Sequence, residues 1–183
     1  MLIFIALIFN LTFVKAQNVN IGFKGGINVS NFNTSGYEKI PGFHIGLFTE
    51  LLIKDRYSLQ PELLYSTQGS SKMTMGKEAV TNLNYVDLPI MIKYRVLDNF
   101  NIEIGPEFGF LISEKTHVDG KEIDTNDNFE DLDFGLNIGI AYSFESIFDL
   151  GVRYNYGFSE INAVKIDDKI KNEVIQLSFG IKL

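Results

Sequence analysis

The sequence predicts an all-β protein: an eight-stranded, antiparallel, up-and-down transmembrane β-barrel with short periplasmic turns and long extracellular loops. Three observations predict this fold. Apolar and polar residues alternate with a period of two in eight segments. Short and long connections alternate between these segments, and their polar faces are rich in glycine. No segment shows a sustained period of 3.6, so any helix would be short and would lie in a loop.

The composition is that of one folded domain. The chain has 183 residues, of which 45% are hydrophobic and 21% are charged, and this is not the composition of a disordered chain. It has no cysteine, which excludes disulfides and thiolate zinc sites. The net charge of -7 argues against a nucleic-acid partner, because phosphate binding needs a basic patch. No cofactor is predicted.

The first segment of the chain is almost continuously apolar and ends at Val14-Lys15-Ala16. The run is shorter than the roughly 20 apolar residues of a transmembrane helix. An apolar core followed by a small-residue site is typical of a signal peptide, and it is less typical of a buried strand. We therefore predict a cleaved signal peptide over residues 1–16, export of the protein, and a barrel domain over residues 17–183.

The first four alternating segments follow the signal peptide in order. They are IGFKGGINV, GFHIGLFTELL, YSLQPELLYSTQG and NYVDLPIMIKYR. Each has one bulky apolar face, and polar or small residues alternate with it. The apolar faces carry Ile21, Phe23, Ile27 and Val29; Phe43, Ile45, Leu47 and Leu51; Tyr57, Leu59, Leu63 and Tyr65; and Val86, Leu88, Ile90, Ile92 and Tyr94.

The last four segments repeat the pattern. They are NFNIEIGPEFGFLI, DLDFGLNIGIAYSF, FDLGVRYNYGF and VIQLSFGIKL. In the fifth, Ile102, Ile104 and Phe108 alternate with Glu103 and Glu107. Pro106 lies within this segment and has no N–H for the ladder, so we expect a bulge or a local break there.

Connections between the segments alternate in length. Short turns are predicted at IKDR, VLDN and ESI. Long polar loops are predicted over residues 31–41, 70–82, 113–131 and 159–172. Turns at one end and loops at the other are the layout of an outer-membrane barrel.

Which face meets the surroundings depends on side-chain size. The glycine-rich faces suit a narrow lumen, whereas the bulky apolar faces would crowd it. Strands of about 9 to 13 residues also suit a tilted membrane crossing. The alternative is a secreted, soluble, lipocalin-type barrel with its apolar face turned inward. Tyrosines near the strand ends suggest an interfacial girdle of Tyr57, Tyr65, Tyr94, Tyr142, Tyr154 and Tyr156.

Four runs carry a family resemblance: GFKGGINVSNF, LQPELLYSTQG, NYVDLPIMIKYR and IEIGPEFGFLIS. In their order and spacing they resemble the PorT-like outer-membrane β-barrel proteins of Bacteroidetes. The resemblance implies an OmpA/OmpX-type eight-stranded barrel in the outer membrane of a Gram-negative bacterium. The family's namesake is associated with a secretion system. Such barrels often end in an aromatic residue that the assembly machinery recognises; here Leu183 is last and Phe179 is the nearest aromatic.

Charged residues on the polar faces would line the lumen. Because lone buried charges are costly, we predict that they form a packed, ion-paired plug, with Glu103 and Glu107 meeting Lys or Arg from neighbouring strands. A gated ion path is the alternative. The predicted network comprises Lys24, Glu50, Glu62, Asp87, Lys93, Arg95, Glu103, Glu107, Asp133, Asp149, Arg153 and Lys182.

The two histidines and one acidic loop are the remaining candidates for catalysis or metal binding. His44, which faces the lumen, and His117, in the third loop, lie beside no recognisable nucleophile, so we predict no enzymatic activity. The acidic loop IDTNDNFEDLD is a weak cation-site candidate through Asp124, Asp127, Glu130 and Asp131. It departs from the EF-hand pattern, and a solvated acidic loop is the simpler interpretation.

These features predict a structural or interaction barrel that presents four long loops at the cell surface. Its expected partners are outer-membrane lipid, the barrel assembly machinery during biogenesis, and an envelope or surface protein bound through the loops. The alternatives are an accessory component of protein secretion and a small passive or gated channel.

Overall fold

A computed structural model describes residues 19–74, 76–123, 129–162 and 170–183. The predicted signal peptide lies outside the described residues. The described residues form nine strands: β1 (Val19–Phe32), β2 (Tyr37–Lys54), β3 (Tyr57–Thr74), β4 (Lys77–Leu97), β5 (Phe100–Val118), β6 (Lys121–Ile123), β7 (Leu132–Phe144), β8 (Phe148–Gly157) and β9 (Asn172–Lys182). Within these ranges no helix is long and apolar enough to cross a membrane.

Eight of these strands close a ring. The strand order is β4-β3-β2-β1-β9-β8-β7-β5, and β5 pairs with β4 to complete the ring. Every pairing is antiparallel, and β1 pairs with β9, so the first and last strands meet. The remaining strand, β6, pairs only with the far end of β5 among the described residues. The predicted eight-stranded antiparallel barrel is confirmed.

The two ends of the barrel differ. At the turn end, short connections join β2 to β3, β4 to β5 and β7 to β8, and the described chain begins there at Val19 and ends there at Leu183. Strands β2, β3, β4 and β5 are 18, 18, 21 and 19 residues long in total, compared with 10 to 14 residues for the other ring strands. Their additional length extends beyond the ring at the loop end. The loop end therefore carries a projecting sheet, which we define as the loop-end parts of β2–β5 together with β6.

This extension corrects two predicted loops. Residues 37–41, 70–74 and 77–82 lie in strands, and the connection from β1 to β2 shrinks to residues 33–36. Above the ring both faces of these strands are polar, so alternating hydropathy, the signal used to find strands, disappears there. The connections from β5 to β7 and from β8 to β9 remain long.

Bulky apolar side chains point outward all around the ring. Phe23, Ile45 and Ile138 are 53–59% exposed, whereas Asn28 and Asn137, on the opposite faces, are fully buried. The six predicted girdle tyrosines also lie on the outer face. A surface of this kind would be unstable in water but suits lipid, which excludes the soluble barrel with an inward apolar face.

Pro106 does not produce a bulge. The registers of β5 with β4 and with β7 run through it without a shift. Pairing with β4 is interrupted opposite Pro106 and resumes in the same register at Ile92–Ile104. The missing N–H therefore costs local pairing and leaves the strand regular. Gly26 is needed for a different reason: a Cβ there would collide with the Leu177 carbonyl of the adjacent strand.

Candidate functional site

The middle of the lumen contains a buried cluster centred on Glu62. Arg153 donates from Nη1 and Nη2 to the two Glu62 carboxylate oxygens, at 3.1 and 3.0 Å. It also donates from Nε and Nη2 to Glu103 Oε1, at 3.0 and 2.9 Å. Lys24 Nζ lies 2.6 Å from Glu62 Oε1. One bidentate guanidinium and one ammonium thus hold two carboxylates from different sides of the ring.

A second cluster lies nearer the turn end. Lys182 Nζ lies 2.9 Å from Glu50 Oε2 and 3.3 Å from Asp149 Oδ2. Lys93 Nζ reaches the same two acids at 3.9 and 3.4 Å and donates to Gln60 Oε1 at 3.1 Å. Since Gln60 also donates to Glu62, it joins the two clusters.

These two clusters balance their charges. Four cations meet four carboxylates, so the desolvation of each charge is offset by at least one direct partner. We call this region the paired half of the lumen: Lys24, Glu50, Glu62, Lys93, Glu103, Asp149, Arg153 and Lys182.

Nearer the loop end, three buried carboxylates have neutral partners instead. Asn137 and Asn155 each donate to Glu107 at 2.9 Å. Gln68 donates to Asp87 Oδ2 at 3.1 Å, and the Ser159 hydroxyl donates to Asp133 Oδ1. We call Asp87, Glu107 and Asp133 the acidic half of the lumen. Among the described residues, none of the three forms a salt bridge.

A neutral polar layer lies between the halves. His44 is buried, with Nδ1 2.7 Å from Asn28 Oδ1 and Nε2 2.9 Å from Ser178 Oγ. Gln176 is adjacent to Asn28 in the β1–β9 register, and neither atom of its amide has a hydrogen-bond partner among the described residues. His44 is therefore held between two neutral side chains, the Asn28 amide and the Ser178 hydroxyl.

An apolar cap closes the loop end above the acidic half. We define the cap as Phe32, Leu83, Tyr85, Ile161 and Ile170, all at most 4% exposed. Phe129 packs against Phe32, with ring centroids 5.7 Å apart. Ile161, Ile170 and Phe129 belong to the two long connections, so these described residues lie inward over the ring.

Little free space remains in the barrel. Between the two clusters of the paired half is a void of about 10 Å³, bordered by Ala141, Gly151 and Gly180, and this is room for about one water molecule. A larger polar cavity of about 150 Å³ opens at the turn end beside Glu50, Arg95 and Lys182. The paired half is therefore packed, with a vestibule at its turn end.

Two expectations for the predicted network need correction. Arg95 does not join the buried charges: its side chain is exposed and borders the turn-end cavity, because β4 reaches the rim there. Glu107 meets the amides of Asn137 and Asn155 in place of a Lys or Arg. Lys93, on the adjacent strand β4, and Arg153, on β8, contact carboxylates nearer the turn end.

The predicted loop cation site can be followed only in part. Asp124 and Asp127 lie outside the described residues, and Glu130 and Asp131 are exposed. No group of three His, Asp or Glu side chains in the described ranges is arranged to hold a metal ion. His117 lies on the extension of β5, 3.9 Å from Glu122, in what the sequence predicted to be loop.

The sequence analysis missed the apolar residues that face inward. Phe48, Leu64 and Tyr85 are at most 2% exposed and lie on the same faces as Glu50, Glu62 and Asp87. Each lies two residues from one of these charges along the same strand, and this spacing predicts that both side chains point into the lumen. These large inward-facing residues were not predicted, because bulky apolar residues also make up the outward face and hydropathy does not distinguish the two sets.

Solved structures share this architecture. Neisserial surface protein A, NspA, superposes with a TM-score of 0.62 at 14% identity, over 89% of this chain and 97% of that one. Ail, the attachment invasion locus protein of Yersinia pestis, gives 0.52 at 12% identity, over 91% and 100%. At these identities the likeness concerns the fold alone. No match was found among curated protein sequences.

The sequence itself matches a family model. Residues 15–162, most of the chain, match the outer membrane protein β-barrel domain. This agrees with the closed antiparallel ring, its apolar outer surface and its polar, packed lumen. The chain belongs to the outer membrane β-barrel domain family.

Proposed function

We propose that this chain is a non-enzymatic structural or interaction barrel of the outer membrane, whose lumen is closed and whose loop end meets a partner outside the cell. One observation carries the proposal: the paired half, the polar layer and the apolar cap follow one another along the lumen above the turn-end cavity. An eight-stranded ring leaves little room beyond its own side chains.

The paired half is the main barrier to ions. An ion entering from the turn end would reach Lys182, Glu50 and Asp149, which already neutralise one another. It would next have to separate Arg153 from both Glu62 and Glu103, at the cost of exposing buried charges. This favours a plug over the alternative of a passive or gated channel.

Conductance across a planar bilayer tests the closed lumen. The purified full chain is expected to give no stable open level. A matched variant, Glu62→Ala with Arg153→Ala, removes the centre of the plug and is expected to conduct, which shows that the assay can detect a pore. Large, stable conductance from the unmodified chain would contradict the proposal.

The projecting sheet is the surface we propose for a partner. It carries charges of both signs, and two ion pairs lie on it, Lys77 with Asp119 at 3.6 Å and Lys115 with Glu122 at 3.2 Å. A surface of paired charges favours a protein partner over a strongly anionic polymer. Ail is named as an attachment protein, and one of its structures is a complex with the heparin analogue sucrose octasulfate. The attachment role suits our proposal, whereas the paired charges favour a different ligand.

The resemblance to PorT-like barrels supports a second candidate, an accessory role in protein secretion. A deletion strain separates the two candidates. Loss of secreted surface proteins would support the accessory role. Normal secretion with reduced adhesion or altered envelope integrity would support the interaction barrel.

Export and assembly complete the proposal. We expect the signal peptide to be removed after Ala16, so the mature protein recovered from outer membranes should begin at Gln17; its N-terminal sequence tests this. Phe179 lies on the outer face of β9 and stacks on Phe148, with centroids 5.8 Å apart. We propose Phe179 as the aromatic that the assembly machinery recognises. Phe179→Ala should then lower the yield of membrane-assembled barrel more than Leu183→Ala.

A further inference from the structure

We infer that the acidic half of the lumen holds a small, hard cation, with Ca²⁺ the best match, between Asp87 and Asp133 beneath the apolar cap. The site is separate from the predicted acidic loop and from the proposed interaction surface. It is built by β4, β5, β7 and β9.

The geometry centres on Gly109. In the β4–β5 and β5–β7 registers, Asp87 and Asp133 lie directly opposite Gly109 on either side. A Cβ on Gly109 would stand 3.0 Å from Asp87 Oδ1, 3.5 Å from Asp133 Cβ and 3.3 Å from Tyr85 Cδ1. Two carboxylate-bearing residues and one phenol thus surround a position that has no side chain.

The charges there are uncompensated. Asp87, Glu107 and Asp133 are at most 8% exposed, and no salt bridge reaches them within the described ranges. The nearest cluster toward the turn end contains Arg153, which is fully engaged with Glu62 and Glu103. A buried carboxyl group either has a cationic partner or is protonated, and a bound cation would supply the partner that these groups lack.

Two residues beside this position, Tyr85 and Asn172, each have a buried side-chain oxygen without a hydrogen-bond partner among the described residues. Tyr85 is 1% exposed, its ring lies against Gly109, and its hydroxyl makes no hydrogen bond with a described residue. The Asn172 amide nitrogen donates to Gln68, and its side chain also contacts Asp133, yet Asn172 Oδ1 is buried without a partner. Buried polar atoms are rarely left unpaired, and a cation would satisfy both oxygens.

The donor set selects the ion. Every candidate donor is oxygen: two carboxylates, one phenol and one amide. Calcium accepts six to eight such ligands in irregular geometry and tolerates water among them, whereas Mg²⁺ requires a near-ideal octahedron. Because no three acidic side chains of the described ranges converge as a preformed metal cluster, water would have to complete the shell.

Terbium luminescence provides a direct test, because Tb³⁺ replaces Ca²⁺ and is excited through a nearby tyrosine. The chain has eight tyrosines and no tryptophan, so the signal can be assigned by substitution. The full chain folded in detergent should give saturable luminescence that Ca²⁺ displaces. Asp87→Asn with Asp133→Asn should weaken the apparent Tb³⁺ affinity by about tenfold or more. Tyr85→Phe should remove most of the signal.

Matched controls separate this site from the acidic loop. Glu130→Gln with Asp131→Asn removes the same number of charges from exposed positions and should leave the signal unchanged. Tyr142→Phe, on the outer face, should also leave it unchanged. Absence of tyrosine-sensitised luminescence in the unmodified chain, or an unchanged affinity in the Asp87/Asp133 variant, would overturn the proposal.

A second measurement does not depend on a variant that folds. The thermal unfolding midpoint of the unmodified chain should rise when Ca²⁺ replaces EDTA, since a ligand that binds only the folded state stabilises it. The same concentration of K⁺ should produce no comparable rise. An equal midpoint in EDTA and in Ca²⁺ would count against the site.

Discussion

The two halves of the lumen bury carboxylates in different ways. In the paired half, Glu62 is held by Arg153 and Lys24. In the acidic half, Glu107 is held by Asn137 and Asn155. Both carboxylates are almost fully buried. One small barrel can therefore bury a carboxyl group in two ways: beside a cation in one layer, and with hydrogen bonds from neutral amides in another.

The two arrangements should respond differently to substitution. Removing one member of a buried ion pair leaves the other charge unpaired, which is costly. Removing a charge from an amide-bonded carboxylate leaves hydrogen bonds that an amide can still make. Substitutions in both halves of the lumen and in the apolar cap test this contrast.

Arg153→Met should be the most damaging change. It leaves Glu103 without a direct cationic partner and Glu62 with Lys24 alone among the described residues, so the free energy of unfolding should fall by about 4 kcal/mol. Urea unfolding in lipid or detergent measures this. Arg95→Met is the matched control: Arg95 is exposed, and the expected change is below about 0.5 kcal/mol. Similar losses for both would show that the network stabilises little.

Phe32→Ala tests the apolar cap over the acidic half. Phe32 is 1% exposed and contacts the Tyr37 and Phe129 rings. Removing a buried phenylalanine should lower the free energy of unfolding by about 3 kcal/mol. If the cap also controls access to the inferred cation site, Tb³⁺ should enter this variant faster in stopped-flow measurements. If neither the free energy of unfolding nor the rate of Tb³⁺ entry changes, the cap neither stabilises the barrel nor controls access to the site.

Lys182→Met tests redundancy within the paired half. Lys182 contacts Glu50 and Asp149, but Lys93 lies near both acids as well. Since Lys182 is partly exposed and Lys93 remains, the expected loss is about 1 kcal/mol, near the upper limit for surface pairs. Denaturant titration alongside Arg153→Met gives the comparison. A loss as large as that of Arg153→Met would show that Lys93 does not compensate.

Asp87→Asn should have the smallest effect on stability. The new amide oxygen can accept the Gln68 hydrogen bond, and one uncompensated charge disappears. With EDTA present, the free energy of unfolding should change by less than about 1 kcal/mol. In Ca²⁺ the variant should lose the stabilisation that the unmodified chain gains. A loss of several kcal/mol in EDTA would show that this charge has a partner of its own.

Strand parity made much of the lumen predictable. Glu62, Glu103 and Arg153 follow directly from a period of two, because successive side chains point to opposite faces. Inward apolar residues such as Phe48 obey the same parity, but composition alone did not separate them from the outward set. The projecting sheet could not be found in this way, since strands with water on both sides show no alternation.

The local pattern of the sequence is enough to specify the barrel: its eight alternating segments, its apolar exterior and most of the charged residues that face the lumen. Only the tertiary structure decided which charges meet. Glu62 and Arg153 are 91 residues apart, and Glu103 and Arg153 are 50 apart. Their contacts cross the lumen and depend on ring closure and on the relative stagger of non-adjacent strands. Local periodicity encodes neither the ring closure nor the stagger. It therefore could not predict that Glu103 would contact an arginine and Glu107 two asparagines.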